Sequence, residues 1–348
     1  MISKDTIKFC LVASLLWSSA SVAADAPPLL KAPIRPSIPT VSGYLGLYAG
    51  WSSAELEGAL SPFDPFATFK DTLHVFGGHG RVNIWTMPGA LVQLDVEAEG
   101  TTGFDLMVFG ANASRGGRLH GIIGGHFSIA DPERYSAGVL AAVIGADSFF
   151  APGSVLTGSN AFGLLGLEGQ SYLGNLTLYG QGGYGMRISG PEFTFPAGSG
   201  LDGMTVNNGA DSFRFVRGIV RYYLTPIDKL EGEIGYASLK YDVLPFLSQS
   251  GKVLNWGATY EHRIANTPWS WYAEYAGFRK EVDWFEPTAG DNKVKTTEHI
   301  GMIGLRAHFN HPDLISQERY GARYDMPKFI RSLPWAGVFT QPTAVVIP

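Results

Sequence analysis

The sequence predicts an all-β protein, a closed antiparallel transmembrane β-barrel of about 12 strands with up-and-down topology. Three observations support this prediction. Apolar and polar residues alternate from Val41 to Phe309, as in strands with one apolar and one wet face. Connections between the predicted strands are alternately short and long, as in outer-membrane barrels. The chain is rich in glycine and aromatic residues but only 16% charged, which excludes disorder and coiled coil.

The first 40 residues are predicted to precede the barrel. Residues 1–24 carry Lys4 and Lys8, an apolar run and small residues before a cut after Ala24, as in a secretory signal peptide. The sole cysteine, Cys10, lies in this segment, so no disulfide framework is predicted for the processed chain. Residues 25–40 are Pro-rich and are expected to form an extended periplasmic segment.

Residues 41–309 form the predicted barrel. Ala90–Glu99 shows the pattern most clearly, because Val92, Leu94 and Val96 share one face while Asp95 and Glu97 share the other. Ten residues tilted by about 45° cross the hydrocarbon core of a bilayer. The predicted strands are Tyr44–Trp51, Leu73–Trp85, Ala90–Glu99, Arg118–Ile129, Tyr135–Ala146, Ala161–Tyr172, Leu176–Met186, Phe213–Leu224, Leu230–Tyr241, Val253–Ile264, Trp269–Arg279 and His299–Phe309.

Membrane crossing by a helix is not expected, because the longest uncharged run of small and apolar residues after the signal segment, Ala137–Ala146, is half of the length required. An even number of strands places both termini in the periplasm, at the end of the short turns. An aromatic girdle is predicted near those turns; its members are Trp85, Tyr135, Tyr172, Tyr222, Trp269, Trp271 and Phe309.

The chain resembles the porin-like outer-membrane β-barrels of alphaproteobacteria. The resemblance rests on the first strand, Gly43–Trp51, on the Gly-rich hairpin Leu167–Tyr184 and on the final strand, Gly304–Phe309. It implies an outer-membrane location in a Gram-negative envelope, assembly by the barrel-insertion machinery, and contact with outer-membrane lipid and lipopolysaccharide. The chain departs from this pattern because residues 310–348 follow the terminal aromatic, and these are predicted to form a periplasmic tail.

The polar face of the strands is expected to line a lumen. Its candidate residues are Arg81, Asp95, Glu97, Glu99, Glu168, Gln170, Gln181, Arg217, Arg221, Glu231, Glu233, Glu261, Arg263, Glu274 and Arg306. Turns near Pro226 and Pro88 place Arg221 opposite Glu231 and Arg81 opposite Asp95, and such opposite charges favour pairing.

Two functions remain open for this lumen. The mixed charges either line a narrow pore for passive diffusion of ions or small polar solutes, or fill a closed barrel that serves structure or surface recognition. Twelve strands lie between the filled eight-stranded barrels and the open larger ones. The acidic excess of the inner face predicts a mildly cation-preferring pore. A net charge of −5 argues against a nucleic-acid partner.

Enzymatic activity is not predicted, although a lipid-modifying barrel enzyme is a third interpretation. His126 and Ser128 have the spacing of some outer-membrane phospholipases but face the lumen by parity, while His74 faces outward without an evident partner. His120 and His126 share a face but lie about 20 Å apart, so no metal site or cofactor is predicted.

Overall fold

The computed structural model describes residues 40–57, 68–104, 107–108, 111–112, 116–149, 158–190, 192–194, 205–207, 210–244, 247–286 and 290–332. The predicted signal segment, nearly all of the Pro-rich segment and residues 333–348 lie outside the described residues.

Twelve of the described strands close into one barrel, as predicted. Their order around the barrel is β1-β16-β15-β14-β13-β12-β9-β8-β7-β6-β3-β2. These strands are β1 (Val41–Glu57), β2 (Thr68–Met87), β3 (Ala90–Phe104), β6 (Gly116–Asp131), β7 (Tyr135–Phe149), β8 (Gly158–Leu173), β9 (Leu176–Ser189), β12 (Ser212–Thr225), β13 (Asp228–Leu244), β14 (Leu247–Arg263), β15 (Trp269–Glu286) and β16 (Gly290–Phe309).

Short elements lie outside this ring of strands. Two small hairpins lie in the long connections, and a helix and a 3-10 turn follow the last strand. They are β4 (Met107–Val108), β5 (Ala111–Asn112), β10 (Glu192–Thr194), β11 (Thr205–Asn207), α1 (Leu314–Tyr320) and the 3-10 helix Lys328–Ser332. No helix of the described residues is long and apolar enough to cross a membrane.

The barrel is an antiparallel meander closed by its first and last strands. β1 pairs with β16 in a continuous register from Gly43↔Phe309 to Glu57↔Lys295. Three of the short turns between paired strands use residues that tolerate positive φ. Gly89 has φ 83°, Gly174 has φ 63° and Asn266 has φ 60°.

The apolar face of the strands points outward all around the barrel. Leu47 is 73% exposed and Ile123 is 71% exposed, whereas Gln93 and Glu99, on the inward face of β3, are buried. Further exposed apolar side chains occur on the other strands, among them Phe76, Leu94, Val143, Leu165, Met186, Val220, Ile234, Leu254, Tyr275 and Ile303. A soluble protein rarely exposes an apolar surface of this extent, and such a belt is suited to lipid.

The predicted aromatic girdle is correct in part. Tyr135, Tyr222 and Trp269 are each nearly half exposed on the outer surface. Tyr172 is instead buried, and Trp85 is packed against a buried cluster that includes Tyr324. Both rings lie on the inward face by the alternation of their strands, Trp85 with Asn83 and Tyr172 with Gln170.

Candidate functional site in the lumen

Residues 310–332, named here the plug segment, turn back into the barrel from the end of the short turns. Helix α1 is capped by Asp313, whose side chain accepts a hydrogen bond of 2.7 Å from the Ser316 amide. The sequence predicts this stretch to be part of a periplasmic tail. Its described part instead packs among the inward side chains of the strands.

Helix α1 lies across the short turns. The Leu314 amide donates to the Pro226 carbonyl (2.9 Å), and Arg319 donates to the Gly174 carbonyl (2.5 Å). The indole N–H of Trp85 donates to the Tyr320 carbonyl (2.7 Å). These contacts reach the β8–β9 and β12–β13 turns and the end of β2, so the helix covers this end of the lumen.

Beyond α1 the chain enters the lumen without regular secondary structure, and wall glutamines bond its backbone. The side chain of Gln93 donates through Nε2 to the Tyr324 carbonyl (2.8 Å), and its Oε1 accepts from the backbone N–H of Arg323 (2.9 Å). The side-chain Nε2 of Gln170 donates to the Arg323 carbonyl (2.9 Å). Buried backbone groups require partners, and here the wall supplies those that a sheet or helix would otherwise provide.

The side chain of Arg323 contacts the two girdle residues that lie on the inward face. Its guanidinium donates to the Tyr172 hydroxyl (3.1 Å) and lies 5.4 Å from the centre of the Trp85 ring. Such a cation over an aromatic face is stabilising, more so when it is shielded from water.

Tyr324 stacks on His126, with ring centres 5.4 Å apart and planes inclined by 13°. His126 Nδ1 lies 2.7 Å from Glu168, and its Nε2 lies 3.3 Å from Asp95. His126 is therefore held in the wall and is covered by the plug segment.

Asp325 accepts hydrogen bonds from two arginines of the wall. Arg81 reaches it from β2 and Arg221 from β12. Its backbone carbonyl accepts from Gln181 at 3.1 Å. Burial alone would raise the pKa of Asp325, but Arg221 and Arg81 outweigh burial and hold it well below its usual range. The carboxylate is thus anionic in the docked segment.

Lys328 and Arg331 carry positive charge into the acidic part of the wall. Lys328 Nζ lies 3.2 Å from Glu233 and 3.3 Å from Glu274. The Arg331 guanidinium lies 2.9 Å from Glu274, 3.0 Å from Glu97 and 3.3 Å from Glu99. Burial would lower the pKa of Lys328, but the surrounding carboxylates, Glu233 foremost, raise it.

Apolar contacts complete one side of the plug segment. Phe329 packs against Phe213 and Phe215, with ring centres 5.4 and 5.2 Å apart. The end of the Met326 side chain lies against Gly124 of β6, where a Cβ atom would collide with it. The plug segment therefore fits this side by shape as well as by charge.

On the other side the lumen keeps a polar cavity of about 70 Å³ between the plug segment and the wall. Arg306 stacks on Tyr272 at 4.1 Å and pairs with Glu261 at 2.5 Å. Lys229 reaches the same carboxylate at 2.9 Å. A cavity of this size accommodates a few waters and is too small for a larger solute.

The structure places every predicted lumen candidate on the inward face. The two predicted cross-strand pairs are confirmed, since Arg221 is opposite Glu231 (2.8 Å) and Arg81 is opposite Asp95 (3.3 Å). Glu261 and Arg263 lie on β14 and Arg306 lies on β16, near the short turns. The other candidates surround the plug segment; they are Arg81, Asp95, Glu97, Glu99, Glu168, Gln170, Gln181, Arg217, Arg221, Glu231, Glu233 and Glu274.

The residues considered for lipid hydrolysis do not lie together at the lipid-facing surface. His126 and Ser128 are both buried in the lumen and away from lipid. His74 is exposed on the outer face. The His126–Ser128 pair therefore lacks the access to lipid that the hydrolase reading requires.

Sequence reasoning missed the functional residues of the plug segment, Arg323, Tyr324, Asp325, Lys328 and Arg331. The available signal was charge. The predicted lumen contains more carboxylates than cations, and the segment beyond the last strand offers Lys328 and Arg331 as partners for them.

The sequence matches neither a model of a known protein family nor a curated protein. Solved structures match in fold. An outer-membrane channel from Pseudomonas putida F1 is 8% identical over 81% of this chain and 100% of that chain, with a TM-score of 0.51. The translocator domain of the autotransporter NalP from Neisseria meningitidis is 11% identical over 87% and 96% of the two chains (TM-score 0.45). A FadL homologue from Pseudomonas aeruginosa is 8% identical over 77% and 91% (TM-score 0.41).

The fold is therefore that of the outer-membrane β-barrels. The likeness to the Pseudomonas putida channel extends over the whole of that channel, but identity this low concerns the fold alone. It supports outer-membrane barrels in general and not specifically the alphaproteobacterial porin-like family that the sequence resembles.

Proposed function

We propose that the protein is a gated outer-membrane channel for ions or small polar solutes. The plug segment closes this channel, and release of the plug segment opens it. The apolar outer belt supports a position in the outer membrane, in contact with lipid and lipopolysaccharide after assembly by the barrel-insertion machinery. With an even number of strands, both termini lie on the periplasmic side, where α1 covers the short turns.

The observation that carries this proposal is the way Lys328 and Arg331 are held. Five wall carboxylates lie within 4 Å of these two cations, namely Glu97, Glu99, Glu231, Glu233 and Glu274. When the plug segment leaves, Glu97, Glu99 and Glu274 lose these cationic partners, while Glu231 keeps Arg221 and Glu233 keeps Arg217. Unpaired carboxylates are stable only in water, so the opened lumen is hydrated and suits polar solutes.

The opened channel prefers cations. The docked segment places positive charge against the acidic wall, and its release uncovers that wall along the length of the lumen. Rings of carboxylates attract cations and repel anions in a narrow pore. The cation preference expected from the sequence therefore belongs to the open barrel, from which the plug segment has been released.

A permanently closed barrel is the second candidate. The bonds of the plug segment from α1 to Arg331 favour it, because the described segment is held at both ends. In that case the barrel serves structure or surface recognition, and the ionic contacts only stabilise it.

Planar-bilayer recording separates the two candidates. We expect few openings from the full chain and steady, cation-preferring conductance steps from a Lys328→Gln, Arg331→Gln variant. The matched control is Arg279→Gln, which removes an exposed cation outside the plug contacts. Silence of the folded double variant would contradict gating and leave the closed barrel.

A further inference from the structure

Three inward side chains form a cluster that closure of the lumen does not explain. Glu97 and Glu99 are two residues apart on β3 and share its inward face. His120 of β6 lies directly opposite Glu99 in the register. One ligating atom from each of the three residues lies within 4.8 Å of the others.

The histidine of this cluster is buried without a hydrogen-bond partner among the described residues. His120 is 1% exposed, and neither ring nitrogen is hydrogen-bonded. Its Nδ1 lies 3.7 Å from Glu99 Oε1, and its Nε2 lies 3.9 Å from Glu97 Oε1. Glu99 Oε1 is also buried without a hydrogen bond. Buried polar atoms are rarely left unbonded, and here three of them converge.

We propose that Glu97, Glu99 and His120 bind a divalent transition-metal ion of the Zn²⁺ type, in competition with Arg331. An imidazole nitrogen with carboxylate oxygens is a common donor set for Zn²⁺. Ca²⁺ and Mg²⁺ favour oxygen ligands alone and are poorer matches. The proposal deepens the gated-channel function, but metal binding itself does not depend on conduction.

Competition follows from the atoms that the two cations share. Glu97 Oε1, which lies nearest to His120 Nε2, also accepts from Arg331 at 3.0 Å. Arg331 Nε lies 3.3 Å from the other oxygen of Glu99. A metal bound by all three residues withdraws Glu97 from Arg331 and adds a positive charge beside the guanidinium. The metal therefore weakens docking of the plug segment, and docking weakens the metal.

The polar cavity gives the site a route of access. Glu97, Glu274 and Arg331 all line it, so an ion in the cavity meets a ligand of the cluster directly. Only the neighbouring Glu99 and His120 lie deeper in the wall.

Isothermal titration calorimetry of Zn²⁺ binding to the full chain in detergent tests the site. We expect His120→Gln to weaken Zn²⁺ binding by at least about tenfold, and His74→Gln, which changes an exposed outward histidine, to leave it unchanged. Arg331→Gln is expected to tighten binding by about tenfold, within the usual range of coupling between sites. X-ray absorption of bound Zn²⁺ is expected to show an imidazole ligand that His120→Gln removes.

Equal Zn²⁺ affinity in the wild type and in a folded His120→Gln variant would overturn the site. Unchanged affinity in Arg331→Gln would overturn the competition. These outcomes are separate from the gating test. If the plug variants conduct but the wild type does not bind Zn²⁺ through His120, the metal site alone is refuted. If the barrel binds Zn²⁺ at this site but never conducts, the channel alone is refuted.

Discussion

The guanidinium of Arg331 lies 3.0 Å from the carboxylate of Glu97, although 234 positions separate the two residues in the chain. Arg331 also needs Glu274, which belongs to β15. β3 and β15 lie on opposite sides of the closure between β1 and β16. The plug segment therefore completes its contacts only when the barrel has closed.

Removal of the Arg331 charge is expected to loosen the plug segment. Arg331→Gln leaves buried carboxylates without their cation, at a cost of about 3 kcal/mol. Docking then weakens by about 100-fold. Maleimide labelling of a cysteine placed at Ala322, in a chain with Cys10→Ser, measures this weakening, because the labelling rate rises when the plug segment is released more often. Arg279→Gln is the matched control, and an unchanged rate in Arg331→Gln would contradict the role of the ion pairs.

Asp325→Asn is expected to raise the open fraction of the channel. The substitution removes the anion that Arg81 and Arg221 share and leaves Arg81 with Asp95 and Arg221 with Glu231 as partners. The wall is thus less disturbed than the plug segment. Single-channel recording measures the change, with the exposed Asp283→Asn as control. Equal open fractions in the two variants would show that Asp325 does not hold the segment.

Acid is expected to favour release through His311. Burial lowers the pKa of His311 from 6.5 to about 4, so between these values the released histidine binds a proton that the docked one does not. Docking therefore weakens as pH falls from 6.5 to 4 and is insensitive to this group above 6.5. The groups around His311 are Asp313, Arg263, Arg323 and His308.

Asp325 does not oppose this effect in the same range, because its pKa lies well below the usual value and it stays charged. Conductance recorded from pH 7 to pH 4 is expected to rise, and His311→Gln is expected to flatten the rise. A wild-type channel that closes further in acid would contradict the assignment to His311.

Gln93 is expected to protect the backbone of the plug segment. Its side chain bonds the Arg323 amide, the Tyr324 amide and the Tyr324 carbonyl. Gln93→Leu leaves these buried groups unbonded, at a cost of about 1–3 kcal/mol for each lost partner. Hydrogen exchange of residues 321–332 by mass spectrometry is expected to accelerate. Unaltered protection would mean that the backbone is held by other groups.

The barrel was predictable because every strand that crosses lipid has to alternate. The strands extend beyond the predicted limits where this constraint ends, for example in β15, which continues past Arg279 to Glu286. Past Arg279 the outward face of β15 carries Glu281 and Asp283, so an apolar outward face no longer marks the strand.

Local register was predictable and distant register was not. Arg221 and Glu231 flank a short turn at Pro226, which fixes their pairing. Glu99 and His120 are joined by a long connection, so only the structure shows that they are opposite. The plug segment has one seven-residue helix and no periodicity, and its partners are spread over distant strands.

The central claim, that the plug segment occupies the lumen, is tested most directly by the solvent accessibility of residue 322. Ala322 is 4% exposed. In the folded full chain with Cys10→Ser, a cysteine at Ala322 is predicted to resist a bulky maleimide until the barrel is unfolded or the plug contacts are broken. Immediate reaction in the intact barrel, at the rate of the unfolded chain, would contradict the account.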